Sequence, residues 1–251
     1  APLAWSWPGY WWELLYYYYW HALFAAFLLL FNRYGRVEVR AIIGRTPVAP
    51  EYVSGLKLTV FLFVFSVAAA FALFYPLSFV APGFVKWWYL EYPALVYFDH
   101  EGLLFIPNLF GLVSLCVLAP LLEEYAFRGL LLMRWADKWG LKAGVFGSSF
   151  VFAIVHPDPI GAFAFGVGMS YLYLKYQSLL LPVACHAFHN LIVWLIEAGY
   201  VLAGQRDFAY TIEEYQQEWR LGVVAIVITA VWAITFIQKN KIRVPWSQDV
   251  A

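Results

Sequence analysis

Charge is the scarcest property of this chain: only 13% of its 251 residues are Asp, Glu, Lys or Arg, against 63% hydrophobic ones. An ordinary soluble domain carries about a quarter of its residues as charges, so a water-facing globular surface is excluded and a lipid environment is implied. Neither sign is in excess, since 16 basic and 16 acidic residues cancel. No basic stripe with interleaved aromatics occurs, which removes the footprint of a nucleic-acid-binding protein. Cysteine is nearly absent. Cys116 and Cys185 lie within apolar runs without metal-type spacing and read as small buried hydrophobes. There is no H-E-x-x-H helix and no G-x-S-x-G elbow, so zinc and serine hydrolysis lack their usual marks. No basic segment precedes the first apolar run, which argues against a cleaved signal peptide. Internal repeats and helices broken at matching positions, the pattern of a secondary transporter, are missing too.

What is abundant is aromatic and aliphatic. Aromatic residues make up 21% of the chain, with 13 Trp and 18 Tyr. The stretches WSWPGYWW near the start and KWWYLEY at residues 86 to 92 resemble belts at a membrane interface. Apolar runs cover 14 to 31, 58 to 80, 102 to 134, 143 to 156, 159 to 174, 176 to 196 and 221 to 238. Since a spanning helix needs about 20 apolar residues, the expected fold is all-α, a polytopic membrane bundle of about seven helices forming one domain over 1 to 251. Positive charge supports that count. With the N-terminus outside, Arg33, Arg36, Arg40, Arg45, Lys57, Arg134, Lys138, Lys142, Lys175, Lys239, Lys241 and Arg243 fall inside, and only Lys86, Arg206 and Arg220 outside. The run 102 to 134 is too long for one straight crossing, so a kink at Pro120 or a break there is expected. Runs 143 to 156 and 159 to 174 are short and joined by PDP, which puts their turn below the membrane surface, where protein or a wet cavity must satisfy it. Glycines 140, 144, 147, 161, 166 and 168 suit close helix packing.

Three ionisable groups interrupt this pattern in PLLEEYAFRG: Glu123, Glu124 and Arg128. An intramembrane charge costs about 2.5 to 3.5 kcal/mol and usually faces a bundle interior. Glu124 and Arg128, four apart, share a helix face and can pair, while Glu123 lies about 100° around and lacks a counter-ion. Unpaired and desolvated, Glu123 is expected to bind a proton more readily, as a general base near neutral pH must. FAIVH places Phe152 and His156 on one face, and HAFHN does the same for His186 and Asn190. Measured from the flanking basic residues, Glu123, His156 and His186 fall at similar depth, so they can converge on one buried site. A Glu and three His can also hold a metal. His189 reads as support or packing, and His21 and His100 as interfacial or packing residues. Asp158 reads either as a partner for the His156 ring or as a solvated turn residue.

EEYAFR, FAIVH and HAFHN fit E-E-x-x-x-R, F-x-x-x-H and H-x-x-x-N, in the order and on the successive helices of the CPBP intramembrane proteases, named for CAAX proteases and bacteriocin-processing enzymes. The resemblance covers about residues 115 to 200, and it implies a glutamate-dependent endopeptidase; because the constellation supplies a base and oxyanion donors without a zinc motif, hydrolysis independent of metal and cofactor is expected. Carried over, Glu123 with His156 would activate water and His186 with Asn190 would stabilise the oxyanion, with Glu124, Arg128 and Phe152 in support. The implied partners are the bilayer and a membrane-anchored protein or peptide substrate, in a multi-pass protein of a prokaryotic plasma membrane with its C-terminus cytoplasmic. A different class remains open beside it: a non-catalytic relative that binds a peptide as an immunity or scaffold factor.

Overall fold

The computed structural model describes residues 9 to 91, 95 to 99, 102 to 204 and 211 to 239. His100, Arg206, Lys241, Arg243, Trp5, Trp7 and Tyr92 lie outside them, as does the side chain of Lys239.

Each apolar run forms a helix. These are α1 (Gly9–Gly35), α2 (Ala49–Val80), α3 (Phe105–Trp139), α4 (Leu141–Ile154), α5 (Pro159–Tyr176), α6 (Leu180–Leu202) and α7 (Trp219–Lys239). Among the described residues, α1, α2, α3 and α6 are long and apolar enough to cross a membrane, whereas α4 and the apolar part of α7, Trp219–Thr235, are shorter. An all-α membrane bundle therefore fits. Between α2 and α3 a two-stranded antiparallel hairpin pairs Phe98 with Leu103 and Asp99 with Gly102. Glu197 of α6 holds the approach to it, accepting from the backbone N–H groups of Leu95 at 2.8 Å and Val96 at 3.1 Å. This buried carboxylate, just past the end of the sixth run, satisfies backbone that has no water to turn to.

α2 packs against α5, α6 and α7, and α4 lies against α3 and α5. One buried cluster joins Leu62 of α2, Phe152 of α4, Phe165, Met169 and Leu172 of α5, and Leu181 and Cys185 of α6. The glycines divide into two kinds. Gly144 is a packing glycine, because a Cβ there would meet the Leu132 carbonyl oxygen at 2.6 Å and the Ala136 nitrogen at 2.8 Å. Gly140, expected to pack as well, has open space around it and φ of +88°. It makes the turn from α3 into α4, a backbone conformation that costs glycine little.

α3 corrects the expectation of a break at Pro120. Its 35 residues form one helix, about 52 Å long at 1.5 Å per residue. The turn before the proline is widened over Ser114–Leu118, where the Ala119 N–H reaches back five residues to the Ser114 carbonyl. In a regular turn the Pro120 ring would clash with the carbonyl four residues earlier, and widening relieves that contact without ending the helix. A second wide stretch spans Tyr125–Leu132. Such stretches are frequent at functional sites.

Candidate active site

Glu124 is the centre of the polar cluster. Fully buried, its Oε1 accepts from Arg128 Nη1 at 2.8 Å and also meets His186 Nδ1 at 2.8 Å. The first contact follows from helix spacing. The second joins α3 to α6 across 62 residues of sequence and was not anticipated. Arg128 is as deeply buried as Glu124, and its guanidinium carbon lies 4.5 Å from the centre of the Phe152 ring, within cation–π range. His156 also stacks on Phe152, the two ring centres 4.1 Å apart. Phe152 thus contacts both a cation and an imidazole, which explains why an apolar residue belongs to a polar motif.

Glu123 has a different environment. Its side chain is 27% exposed, and its Oε2 lies 4.0 Å from His186 Nε2. That oxygen is buried and has no hydrogen-bond partner among the described residues. His186 is therefore set between two carboxylates, bonded to Glu124 through Nδ1 and presenting Nε2 toward Glu123. His156 is fixed in the same sense. Its Nδ1 donates to the Phe152 carbonyl at 2.6 Å, which leaves Nε2 free for chemistry, and Glu123, His186 and Arg128 all lie within electrostatic reach of the ring. Asn190, one turn beyond His186 on α6, donates from Nδ2 to the Leu115 carbonyl of α3 at 2.8 Å. One of its two N–H groups is thereby committed. His189 lies in an aromatic setting between Phe63 and Phe165, at ring distances of 5.6 and 4.9 Å. His21 lies 3.4 Å from Ser114 Oγ.

The turn that carries His156 is held from outside its own helices. Asp158 caps α5 by accepting from the Gly161 N–H at 3.1 Å, and the same carboxylate takes a hydrogen bond from Ser66 Oγ of α2. Trp88 Nε1 donates to the Pro157 carbonyl at 2.9 Å. Asp158 therefore holds the turn, with no hydrogen bond to the His156 ring among the described residues, and Trp88 is more than an interfacial ring. Ser66 and Trp88 carried no motif. Their only sequence signals are a hydroxyl within an apolar run and an indole in an aromatic cluster.

The site thus brings together Glu123, Glu124, Arg128, Phe152, His156 and His186, with Asn190 at its edge. Against protein-family models, residues 105 to 192 match the type II CAAX prenyl endopeptidase Rce1-like family. Comparisons with curated proteins and with solved structures return no match. The matched segment opens on the first residue of α3 and closes two residues after Asn190, so it contains every member of the cluster. The match agrees with the CPBP/CAAX resemblance carried by the three motifs and supports, in general terms, a CAAX-type intramembrane protease.

Proposed function

We propose that this chain, whose motif-bearing core matches the CAAX prenyl endopeptidases, is an intramembrane endopeptidase that hydrolyses membrane-anchored protein or peptide substrates with a Glu123-activated water. The observation that carries this reading is the juxtaposition of a partly exposed glutamate with His186 Nε2 at 4.0 Å, beside a second, buried glutamate whose Oε1 is shared by Arg128 and His186. Glu123, assisted by His156 Nε2, takes a proton from water as the oxygen attacks the scissile carbonyl carbon. The carbonyl π electrons move to oxygen, and the oxyanion is met by donors from His186 and Asn190. Because His186 Nδ1 faces Glu124, its Nε2 carries a hydrogen only as imidazolium. The C–N bond then breaks and the proton held by Glu123 passes to the departing amine. Base catalysis of this kind contributes about a hundredfold or more, and a positioned oxyanion donor about 3 to 4 kcal/mol.

The positive charge inside the cluster is supplied by Arg128, which supports a mechanism independent of metal. Purified protein in lipid bilayers is expected to cleave a farnesylated peptide with a CAAX terminus and to incorporate one oxygen-18 from labelled water into the new carboxyl group. Activity is expected to persist in strong chelator. Loss on chelation with restoration by zinc would turn Glu123 and the histidines into ligands. Stoichiometric peptide binding without turnover would instead support the non-catalytic scaffold.

A further inference from the structure

Pro120 is buried in α3, one turn before Glu123, and three observations tie it to Asn190. In the widened turn Ser114–Leu118 the hydrogen bonds run five residues back, as the Ala119 N–H to the Ser114 carbonyl shows. Continued by one residue, that register directs the nitrogen of residue 120 at the carbonyl of Leu115. Residue 120 is a proline and has no hydrogen to give. The Leu115 carbonyl is instead taken by Asn190 Nδ2 at 2.8 Å. The geometry points to Pro120 as a positioning residue for Asn190: by withholding an N–H from Leu115, it reserves that carbonyl for the side chain of another helix.

A carboxamide is planar, and its two N–H bonds diverge by a fixed angle. Anchoring one to Leu115 fixes the plane and the direction of the other, which is the hydrogen left for a developing oxyanion. A buried carbonyl seeks a donor, so an N–H restored at residue 120 competes for Leu115 from within the same helix. Asn190 then loses its anchor while keeping its chemical identity. The sequence P-x-x-E-E therefore couples two devices, one aligning the base and one aligning the donor on α6.

This inference rests on the peptidase reading, so its test has a readout for each. Pro120→Ala, Asn190→Ala and the double variant form a thermodynamic cycle. Removing an oxyanion donor costs about 100 to 1,000-fold in kcat, and misdirecting one is expected to cost about tenfold, with KM unchanged. In the Asn190→Ala background, Pro120→Ala is expected to cost nothing more. The α-hydroxy analogue of alanine, introduced at position 120 as a backbone ester, also lacks the hydrogen and is expected to retain wild-type kcat. Equal losses in both backgrounds, or an ester analogue as impaired as alanine, would overturn the assignment. If the wild-type chain cleaves no peptide, the peptidase reading fails, and the same cycle read as Tm decides the inference. Non-additive shifts sustain the Pro120–Asn190 link, and additive shifts end it.

Discussion

Glu123 and Glu124 are adjacent in sequence and opposite in circumstance. Glu124 accepts from Arg128 and meets His186, both at 2.8 Å, with no exposure to solvent. Glu123 makes neither contact and keeps 27% of its side chain exposed. Glu123→Gln is therefore expected to fold normally and to lose at least about a hundredfold in activity, the range for removing a general base. Glu124→Gln leaves Arg128 buried beside a neutral amide and removes the charged partner of His186. Breaking a buried pair costs about 3 to 5 kcal/mol, so this variant is expected to lose thermal stability first and activity with it. Measuring Tm and cleavage of one peptide for both variants separates the roles, and an unfolded Glu123→Gln beside a stable, inert Glu124→Gln would reverse them. Half of this contrast was legible in the sequence, because spacing of four on a helix pairs Glu124 with Arg128 before any tertiary structure is known. The Glu124–His186 contact was not, since it depends on how α6 packs against α3. For the same reason the partner of Asn190 was invisible: it is a backbone carbonyl, and side-chain patterns say nothing about which carbonyls a helix leaves free.

At the scale of elements, the apolar runs located the helices because lipid-facing and core-facing residues are both hydrophobic, so length alone delimits them. Interruptions were harder to read. A proline in a long apolar run is compatible with a kink, a break or a widened turn, and the sequence does not choose among them; α3 is unbroken and has a widened turn. The turn between α4 and α5 was legible as a polar break, while the residues that hold it come from α2 and from the segment Lys86–Leu90. Asp158 unites those roles through Ser66 and the Gly161 N–H. Asp158→Ala is expected to lower stability by about 1 to 2 kcal/mol, the cost of a lost N-cap, and to reduce kcat because His156 is two residues away on the released turn. Asp158→Asn keeps a capping oxygen and is expected to recover most of both. Chemical denaturation alongside peptide cleavage reads the two effects. An Asn variant as inactive as the Ala variant, yet as stable as wild type, would show that the carboxylate charge matters rather than its hydrogen bonds.

Across the whole molecule, contacts sort the connecting segments into two groups that match the asymmetry of basic residues. At one end Gly44 pairs with Ser178, the Arg45 N–H donates to the Gln177 carbonyl, and the Arg134 guanidinium lies 4.7 Å from the Phe31 ring centre. At the other end Trp88 meets Pro157, Glu197 holds Leu95 and Val96, and Gln216 bonds Ser78 at 3.1 Å. The first end is the one to which the sequence assigns Arg33, Arg36, Arg40, Arg45, Lys57, Arg134, Lys138, Lys142 and Lys175; the second has Lys86 and Arg220 among the described residues. Basic residues are retained on the cytoplasmic side during insertion, so the first end is expected to face the cytoplasm. Single cysteines at Lys138 and Lys142, and separately at Lys86 and Arg220, placed in a background with Cys116 and Cys185 changed to Ala, provide the test. With intact cells and a membrane-impermeant thiol reagent, Lys86→Cys and Arg220→Cys are expected to react, and Lys138→Cys and Lys142→Cys only after lysis. The opposite pattern would invert the molecule. Labelling of all four from outside would break the pairing of segments on which the seven-helix topology depends. Because α4 is only 14 residues long, about 21 Å at 1.5 Å per residue, its turn into α5 lies within the bilayer if α4 starts at the cytoplasmic face. His156 is on that turn, so on the proposed peptidase reading the short helix sets the depth at which a peptide presents its scissile bond. Lengthening α4 by one turn ahead of Phe152 would then carry Phe152 and His156 together away from Arg128 and Glu123 and is expected to abolish cleavage while the chain still inserts.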